Sequence, residues 1–513
     1  MKHTAILLLV CFLLGCSGCK KGPDSHPDTP EVAVEANSDI LNLYAIREND
    51  LNPLRISSES GRLMISLVFR PLISVGQNFD YTCCLAETVS FSDSCKTVKI
   101  RLNPDITWDD GSPLTVSDVD YTIHKIIEYG EEYPYFENLS NVVDFYADGS
   151  EFVFHLASPD SGFPCLLNFP IVKKGSLGGG SVSLTGTGDY KITEHKEFSS
   201  ITLTAKKPGG KGFADVIKFT LLPNSQAAVS SFRLGNIDAI KISAGNAPSY
   251  TLDKDSTYST ANANNYSFLS VNLSHKHLSD VALRKIIAQI ASSETVITDL
   301  VPGFAASTGS PVHPMAYYAL PLEYTYADIK EALDSIGYVP DESGIRTKTI
   351  DDEPSNLSFS ILVNSDNPSR VIAAEYLANL MNSFGMQVAV TKTNFESYTQ
   401  ALSEGNFDLA LCETKISLNN DYSFLLGTDG SANFGGYSSE AADTLLSAIA
   451  LAADKNERAE HFRKLQEQFA TVMPHIPLWF TNQLLLYNNK KLEISSIGGI
   501  GDEFAATHSW TVK

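Results

Sequence analysis

The chain has 513 residues, enough for two to four lobes at roughly 100–200 residues each. Hydrophobic residues make up 43 % and charged residues 19 %, an ordinary globular balance. Sixty acidic against 38 basic residues give a formal net charge of -22, which repels nucleic acid and anionic lipid and excludes both as charge-driven partners.

Lys2 and His3 make a short basic start, and Ile6 to Leu14 is an apolar run of nine residues. Such a run is too short to cross a bilayer and reads as the core of a secretory signal. It ends in Leu13-Leu14-Gly15-Cys16, which resembles a bacterial lipobox, with Leu14 where a smaller residue is commoner. The resemblance implies a signal peptide over 1–15 and a lipid on the sulfur of Cys16, with Cys19 a weaker second candidate. Residues 16–38 carry Pro, Ser, Asp, Glu and Lys with little to bury, and read as a lipid-anchored flexible tether. No later run is long enough for a membrane-spanning helix. The protein is expected to be exported and anchored at one end.

The folded part alternates strand and helix patterns. Val98, Ile100 and Leu102 alternate with Lys99 and Arg101, the period of a half-buried strand. In "ITWDDGSPLTVSDVDYTIHKI" (106–126) a strand end with Trp108 meets the turn residues Asp109, Asp110, Gly111 and Pro113. A helix follows, capped by Thr115 with Asp118 or by Ser117 with Asp120, with an apolar stripe at Val119, Ile123, Ile126 and Ile127. Phe152, Phe154 and Leu156 predict a strand, as do Ile201 and Leu203. Between them Gly175 to Gly188 is Gly-rich, suiting a lobe crossing or a ligand-facing loop. Ser279 is placed to cap a helix with Leu283, Ile286, Ile287 and Ile290 on one face. Val371, Ala374, Leu377, Met381 and Phe384 mark another helix, stopped by Gly385 before a strand at Met386, Val388 and Val390. Phe462, Leu465, Phe469 and Val472 mark a late helix ended before Pro474. The mixed order, without a repeating unit, predicts several α/β lobes and not a barrel or solenoid.

No chemistry-bearing motif stands out. The Gly-rich stretch lacks the GK[ST] ending of a phosphate loop, and neither HExxH nor GxSxG occurs. His275 and His277 are the only close His pair; with no third ligand in sight they read as a solvated loop. Cys83, Cys84, Cys95, Cys165 and Cys412 show no zinc spacing. Cys83 or Cys84 can meet Cys95 in a disulfide, or all can be free thiols. No metal, cofactor or enzymatic activity is expected.

The segment Trp108-Asp109-Asp110-Gly111-Ser112-Pro113-Leu114-Thr115, with Asp118-Val119, resembles the signature of extracytoplasmic solute-binding proteins of peptide/nickel ABC importers, "W-x-D-G-x-P-[FL]-T-A-x-D-V". Further segments follow in that family's order. They are Leu51-Asn52-Pro53, Leu85-Ala86-Glu87, Gly186-Thr187-Gly188-Asp189-Tyr190, Leu234 to Asp238, Asp280 to Lys285, Leu333 to Tyr338, Gly405 to Asp408, and His475 to Leu478.

The resemblance implies an α/β, two-lobe clam with an additional α/β domain. Lobe I would take 39–60, 183–267 and 478–513, the extra domain 61–182, and lobe II 268–477. It implies a monomer that captures oligopeptides or short peptide-like solutes such as cell-wall peptides between its lobes and passes them to an ABC permease. The same fold binding a nickel chelate or heme, a lipid-anchored hydrolase, and a sensor that imports nothing are the alternatives. An acid after a Trp would pair with a peptide's amino group, but Thr414 stands at the Trp position and Ser417 at the acid. Glu413 or Asp421 would then supply the charge, and Glu413 and Lys415 would offer backbone. Arg370, expected just before a helix, would take the carboxylate, because its fork binds both oxygens. Ser57 and Glu59 would face the ligand from a loop, and Tyr135 would lie over it.

Overall fold

The period-2 segments become strands of three main sheets in a computed structural model that describes residues 40–178, 182–209, 212–243, 255–300 and 305–513. The expected signal segment, the expected tether with Cys16, and the middle of the Gly-rich stretch lie outside the described residues. The first sheet has the order Ile40–Ile46, Val216–Leu222, Ser200–Ala205, Tyr190–Lys196, with its first pair parallel and the rest antiparallel. Ile217, Phe219 and Leu221 point into the core while Lys218 faces out, the alternation a pleated strand imposes.

The second sheet is antiparallel, in the order Ala86–Ser92, Thr97–Leu102, Glu151–Leu156, Val142–Asp148. The helix Val116–Tyr129 packs beside its last two strands. Val153 is buried along with Phe152 and Phe154, because its strand is central and covered on both faces. The expected helical stripe holds at Val119, Ile123 and Ile126, but Ile127 is 45 % exposed. The two sheets share one core, in which Leu43 and Phe219 join Ile100, Ile123 and Phe154.

The third sheet orders Ala239–Ser243, His475–Asn488, Ser256–Val271, Leu409–Lys415, Ser358–Asn364 and Gln387–Thr393, with Ala305–Ser307 also on His475–Asn488. Adjacent residues Phe268 and Leu269 belong to different apolar clusters, so both faces of this sheet are covered. Its two central strands are unusually long, 16 and 14 residues, or about 45–55 Å at roughly 3.3 Å per residue. They pair in register from Ser256↔Asn488 to Ala261↔Gln483 and resume at Asn265↔Thr481. Asn262, Ala263 and Asn264 thus oppose Asn482 alone, a bulge that breaks the ladder, and a second shift of register follows between Ser267 and Phe268.

The motif residues hold this frame together. Asp118 accepts the Thr115 N–H (2.8 Å) and hydroxyl (2.9 Å) and also the Lys174 N–H (2.8 Å), while buried. Asp109 accepts from the Gly186 N–H at 2.9 Å and pairs with Lys206. A Cβ on Gly186 would sit 1.9 Å from the Val68 carbonyl oxygen, so the backbones touch only because that residue is glycine. Arg284, buried, donates to the carbonyls of Leu278, Val472 and Met473, which satisfies the end of the helix Lys455–Val472. The cap of helix Val281–Ala291 is Asp280, not Ser279, since its carboxylate takes the Ala282 N–H at 2.9 Å.

Two further expectations need correction or settlement. His277 is fully buried and not solvated; it meets the Tyr338 hydroxyl at 3.2 Å and that of Ser355 at 3.1 Å, and burial pushes its pKa down to about 4. The five cysteines among the described residues are free thiols, with Cys84 beside Ser74 and Cys95 bonded to the Leu451 carbonyl.

Replacing Asp118 by Ala leaves three donors without their acceptor at a helix start. We expect a loss of about 2 kcal/mol in urea unfolding, with an unchanged slope. A loss under about 0.5 kcal/mol would show that water replaces the carboxylate there.

Candidate functional site

The break in the long-strand pair opens onto a cleft. Asn262, Ala263 and Asn264 line a cavity of about 630 Å³. Asn262 is fixed by Gln77, whose side-chain oxygen accepts its N–H at 2.6 Å and whose carbonyl accepts its amide at 2.8 Å. Asn264 is tied to Ile416, whose N–H reaches its carbonyl at 2.8 Å. The same cavity is lined from the helix Glu59–Ser66, from the turn at Tyr135, and from Ile500 to Glu503 near the C-terminus. A second cavity of about 1130 Å³ adjoins it, sharing Asn138, Leu166 and Ser417.

Charge is concentrated at the Lys241 side of the first cavity. Lys241, with its side chain 6 % exposed, lies 2.8 Å from Glu59 and 2.8 Å from Glu503, itself 4 % exposed. One cation therefore serves two carboxylates. Glu503 Oε2 and Asp502 Oδ1 are buried without a partner. Burial pushes the Asp502 carboxyl up to about 6; the Glu503 charge adds to the shift, while the Ser66 hydroxyl, Arg70 and Lys241 oppose it. The second cavity is more acidic, with Glu137, Asp160, Asp421, Asp429 and Asp443 against Arg458. Burial also raises Asp160.

Four of the expected ligand residues line the first cavity: Glu59, Tyr135, Lys415 and Ser417. Tyr135 is pushed up to about 12 by burial, and its ring tilts against Phe169 at 5.9 Å. Asp421 lines the second cavity, where its carboxylate accepts the Ser423 N–H at 2.8 Å. Ser57 is exposed, and its carbonyl accepts from Arg62. Arg370 does not precede a helix; it lies in the first turn of Pro368–Asn382, behind the Asn367 cap. There it pairs with Glu413 at 3.1 Å, and neither residue lines the two cavities. Sequence reading missed Lys241, Asp502, Glu503 and the Asn262–Asn264 bulge. The run Gly498-Gly499-Ile500-Gly501 was the available signal. A Cβ on Gly499 would stand 2.2 Å from the Val75 carbonyl, a close approach that marks a packed site.

The cleft lies at the break between the two long strands, and no cluster of three metal-ligating side chains occurs among the described residues. A family model described as bacterial extracellular solute-binding proteins, family 5 (middle), matches residues 81–436. The chain belongs to this family. It is 19 % identical over 515 residues to the oligopeptide-binding protein AppA of Bacillus subtilis (strain 168), covering 94 % of this chain and 93 % of that one. Among solved structures, a periplasmic murein tripeptide binding protein, MppA, in its unliganded open form matches with a TM-score of 0.78. Its identity is 16 %, and the match covers 93 % of this chain and 98 % of that one. A nickel ABC transporter protein of Bacillus halodurans matches with a TM-score of 0.77 and 17 % identity, over 92 % and 100 %. The fold is therefore the periplasmic-binding-protein-like α/β fold of this family. No helix of the described residues is long and apolar enough to cross a membrane.

The side chains of Arg370 and Glu413 are 27 % and 34 % exposed, so their attraction is screened by water. A double-mutant cycle with Arg370→Ala and Glu413→Ala should give a coupling below about 1 kcal/mol in unfolding. A coupling above about 2 kcal/mol would mean a desolvated, structural pair.

Proposed function

We propose that this protein captures short peptides in its cleft and delivers them to an ABC permease, performing no chemistry on them. The observation that carries this reading is the joined cavity beside the break in the long strands. At about 630 and 1130 Å³ its two parts together exceed the roughly 300–1,000 Å³ typical of small-molecule sites. An extended oligomer suits such a space better than a single amino acid. The strand Leu409–Lys415 ends on the first cavity. The N–H and carbonyl of Ile416 are held by Asn264, and Lys415 is the place where a ligand would add as a strand. The names of relatives such as AppA agree with this reading.

The lobe division that goes with it is 39–60, 183–267 and 478–513 against 268–477, with 61–182 between. Both crossings then fall inside the two long strands, which suits a hinge. A ligand that touches both lobes stabilises the closed form only by its differential affinity for that form. The protein would act as a monomer, exported and held at the cell envelope by lipid on Cys16.

Two measurements test this. In a thermal-shift panel of peptides of two to six residues, with nickel–histidine and heme included, a peptide should raise the transition. At a hundredfold excess over Kd the gain is about 2.7 kcal/mol, and the peptide should be recovered uncleaved. If nickel–histidine or heme shifts the transition and no peptide does, the peptide reading is wrong. For the anchor, the mature N-terminal peptide from the native host should carry a diacylglycerol mass on Cys16. An unmodified Cys16 within a longer peptide would refute it.

A further inference from the structure

The first cavity contains a pair of adjacent carboxylates whose placement demands a cation. Glu503 is buried and uses one oxygen on Lys241, at 2.8 Å; its other oxygen has no partner. Asp502 Oδ1, beside it in the chain, is likewise buried and unpartnered. Lys241 is already shared with Glu59 at 2.8 Å. Arg62 and Lys415 also line this cavity, but neither is among the charges that act most on Asp502, and the Arg62 guanidinium donates to the Ser57 carbonyl. Arg70, which does act on it, pairs with Asp189 at 2.6 Å. A buried carboxylate oxygen without a donor is costly, and a ligand cation that meets it recovers that cost. Two such oxygens on neighbouring residues, at the edge of a ligand-sized cavity, make a receptor for a group with several N–H donors.

We propose that Asp502 and Glu503 form a cation subsite of the cleft, in which a ligand ammonium takes the two unpartnered oxygens while Lys241 holds the other side of Glu503. The proposal rests on the peptide reading and adds to it the chemistry of one end of the site. The ammonium comes from the peptide's own amino terminus or from a basic side chain. The groups that face Asp502 are Ser66 and Arg70 at and after the helix Glu59–Ser66, with Lys241, Glu503 and the Tyr135 phenol. None of them supplies a second free cation. With Asp502 pushed up to about 6 in the empty cleft, a bound ammonium favours the ionised form. Affinity for an ammonium ligand is therefore full above about pH 7. It weakens as pH falls through about 6, by about tenfold at pH 5. Affinity for a ligand with no cation lacks this dependence on Asp502.

The experiment is calorimetry with the full folded chain and three probes: Ala-Ala-Ala, its N-acetyl form, and N-acetyl-Ala-Lys-Ala. At pH 7.5 at least one ammonium-bearing probe should bind ten times or more tighter than N-acetyl-Ala-Ala-Ala. Which one does so tells the amino terminus from the side chain. Asp502→Asn should cut that advantage below threefold, and Asp421→Asn should keep it. In the parent protein, dropping to pH 5 should erase most of the same advantage, a readout that needs no variant to fold. The subsite is overturned if the acetylated probe binds as well as both others, if the advantage survives Asp502→Asn or pH 5, or if Asp421→Asn removes it. In each of those outcomes peptides still bind. If no probe binds at any pH, the peptide reading and the subsite fall together.

Discussion

The cleft of this molecule is built on an interruption of hydrogen bonding. Two strands long enough to cross the whole body pair antiparallel, lose register over Asn262, Ala263 and Asn264, and pair again. An unbroken ladder of that length is stiff, and every backbone group in it is spent. The bulge frees backbone at the crossing and turns three side chains toward the cavity. It also needs outside partners for the freed groups. Gln77 and Ile416 supply them, one from near the start of the chain and one from the segment that continues the strand Leu409–Lys415. Two segments far apart in the chain are thereby tied to the wall of the cleft.

Around that interruption the rest is made rigid by polar groups that act as backbone partners. Asp109 holds the Gly186 loop, Asp118 holds both its own helix start and Lys174, and Arg284 closes the end of a helix distant in sequence. Asp238 plays the same part for Asn42 at 2.8 Å and pairs with Lys491 at 3.2 Å. Asp408 accepts the Ser360 N–H at 2.8 Å. Each belongs to a motif that gave the family resemblance. Such residues are recognisable because their geometry is local and demanding: a cap, a tight glycine contact, a helix end.

That explains what was legible and what was not. The strands at Val98, Phe154 and Ile201 and the helices at Val119 and Phe462 follow from periodicity, since a buried face leaves a repeat in the sequence. Ser279 gave way to Asp280 because caps are local choices between neighbouring polar residues. His277 misled because a buried histidine satisfied by Tyr338 and Ser355 leaves no trace of either partner nearby in sequence. The cleft is harder still. Glu59, Tyr135, Ser417, Lys241 and Asp502 come from distant segments that no period relates, and only the fold brings them to one cavity. Arg370 and Glu413 show the converse. Both carry the right chemistry and both were selected by charge, yet in the structure they satisfy one another.

The charge arrangement then separates two roles that composition alone blends. A net charge of -22 is spread mostly over solvated surface, where each carboxylate is cheap. At the cleft the same residue types are withdrawn from water, and the arithmetic changes. Lys241 is shared between Glu503 and half-exposed Glu59, so Asp502 keeps part of its neighbour's repulsion, and burial outweighs what Ser66, Arg70 and Lys241 return. A replacement of the cluster by apolar side chains would fill the same volume without that cost. A protein selected for stability alone has no use for the arrangement. In a receptor that must be looser when empty than when filled, an unmet charge in the cleft raises the energy of the empty state and widens the gap that a matching ligand closes.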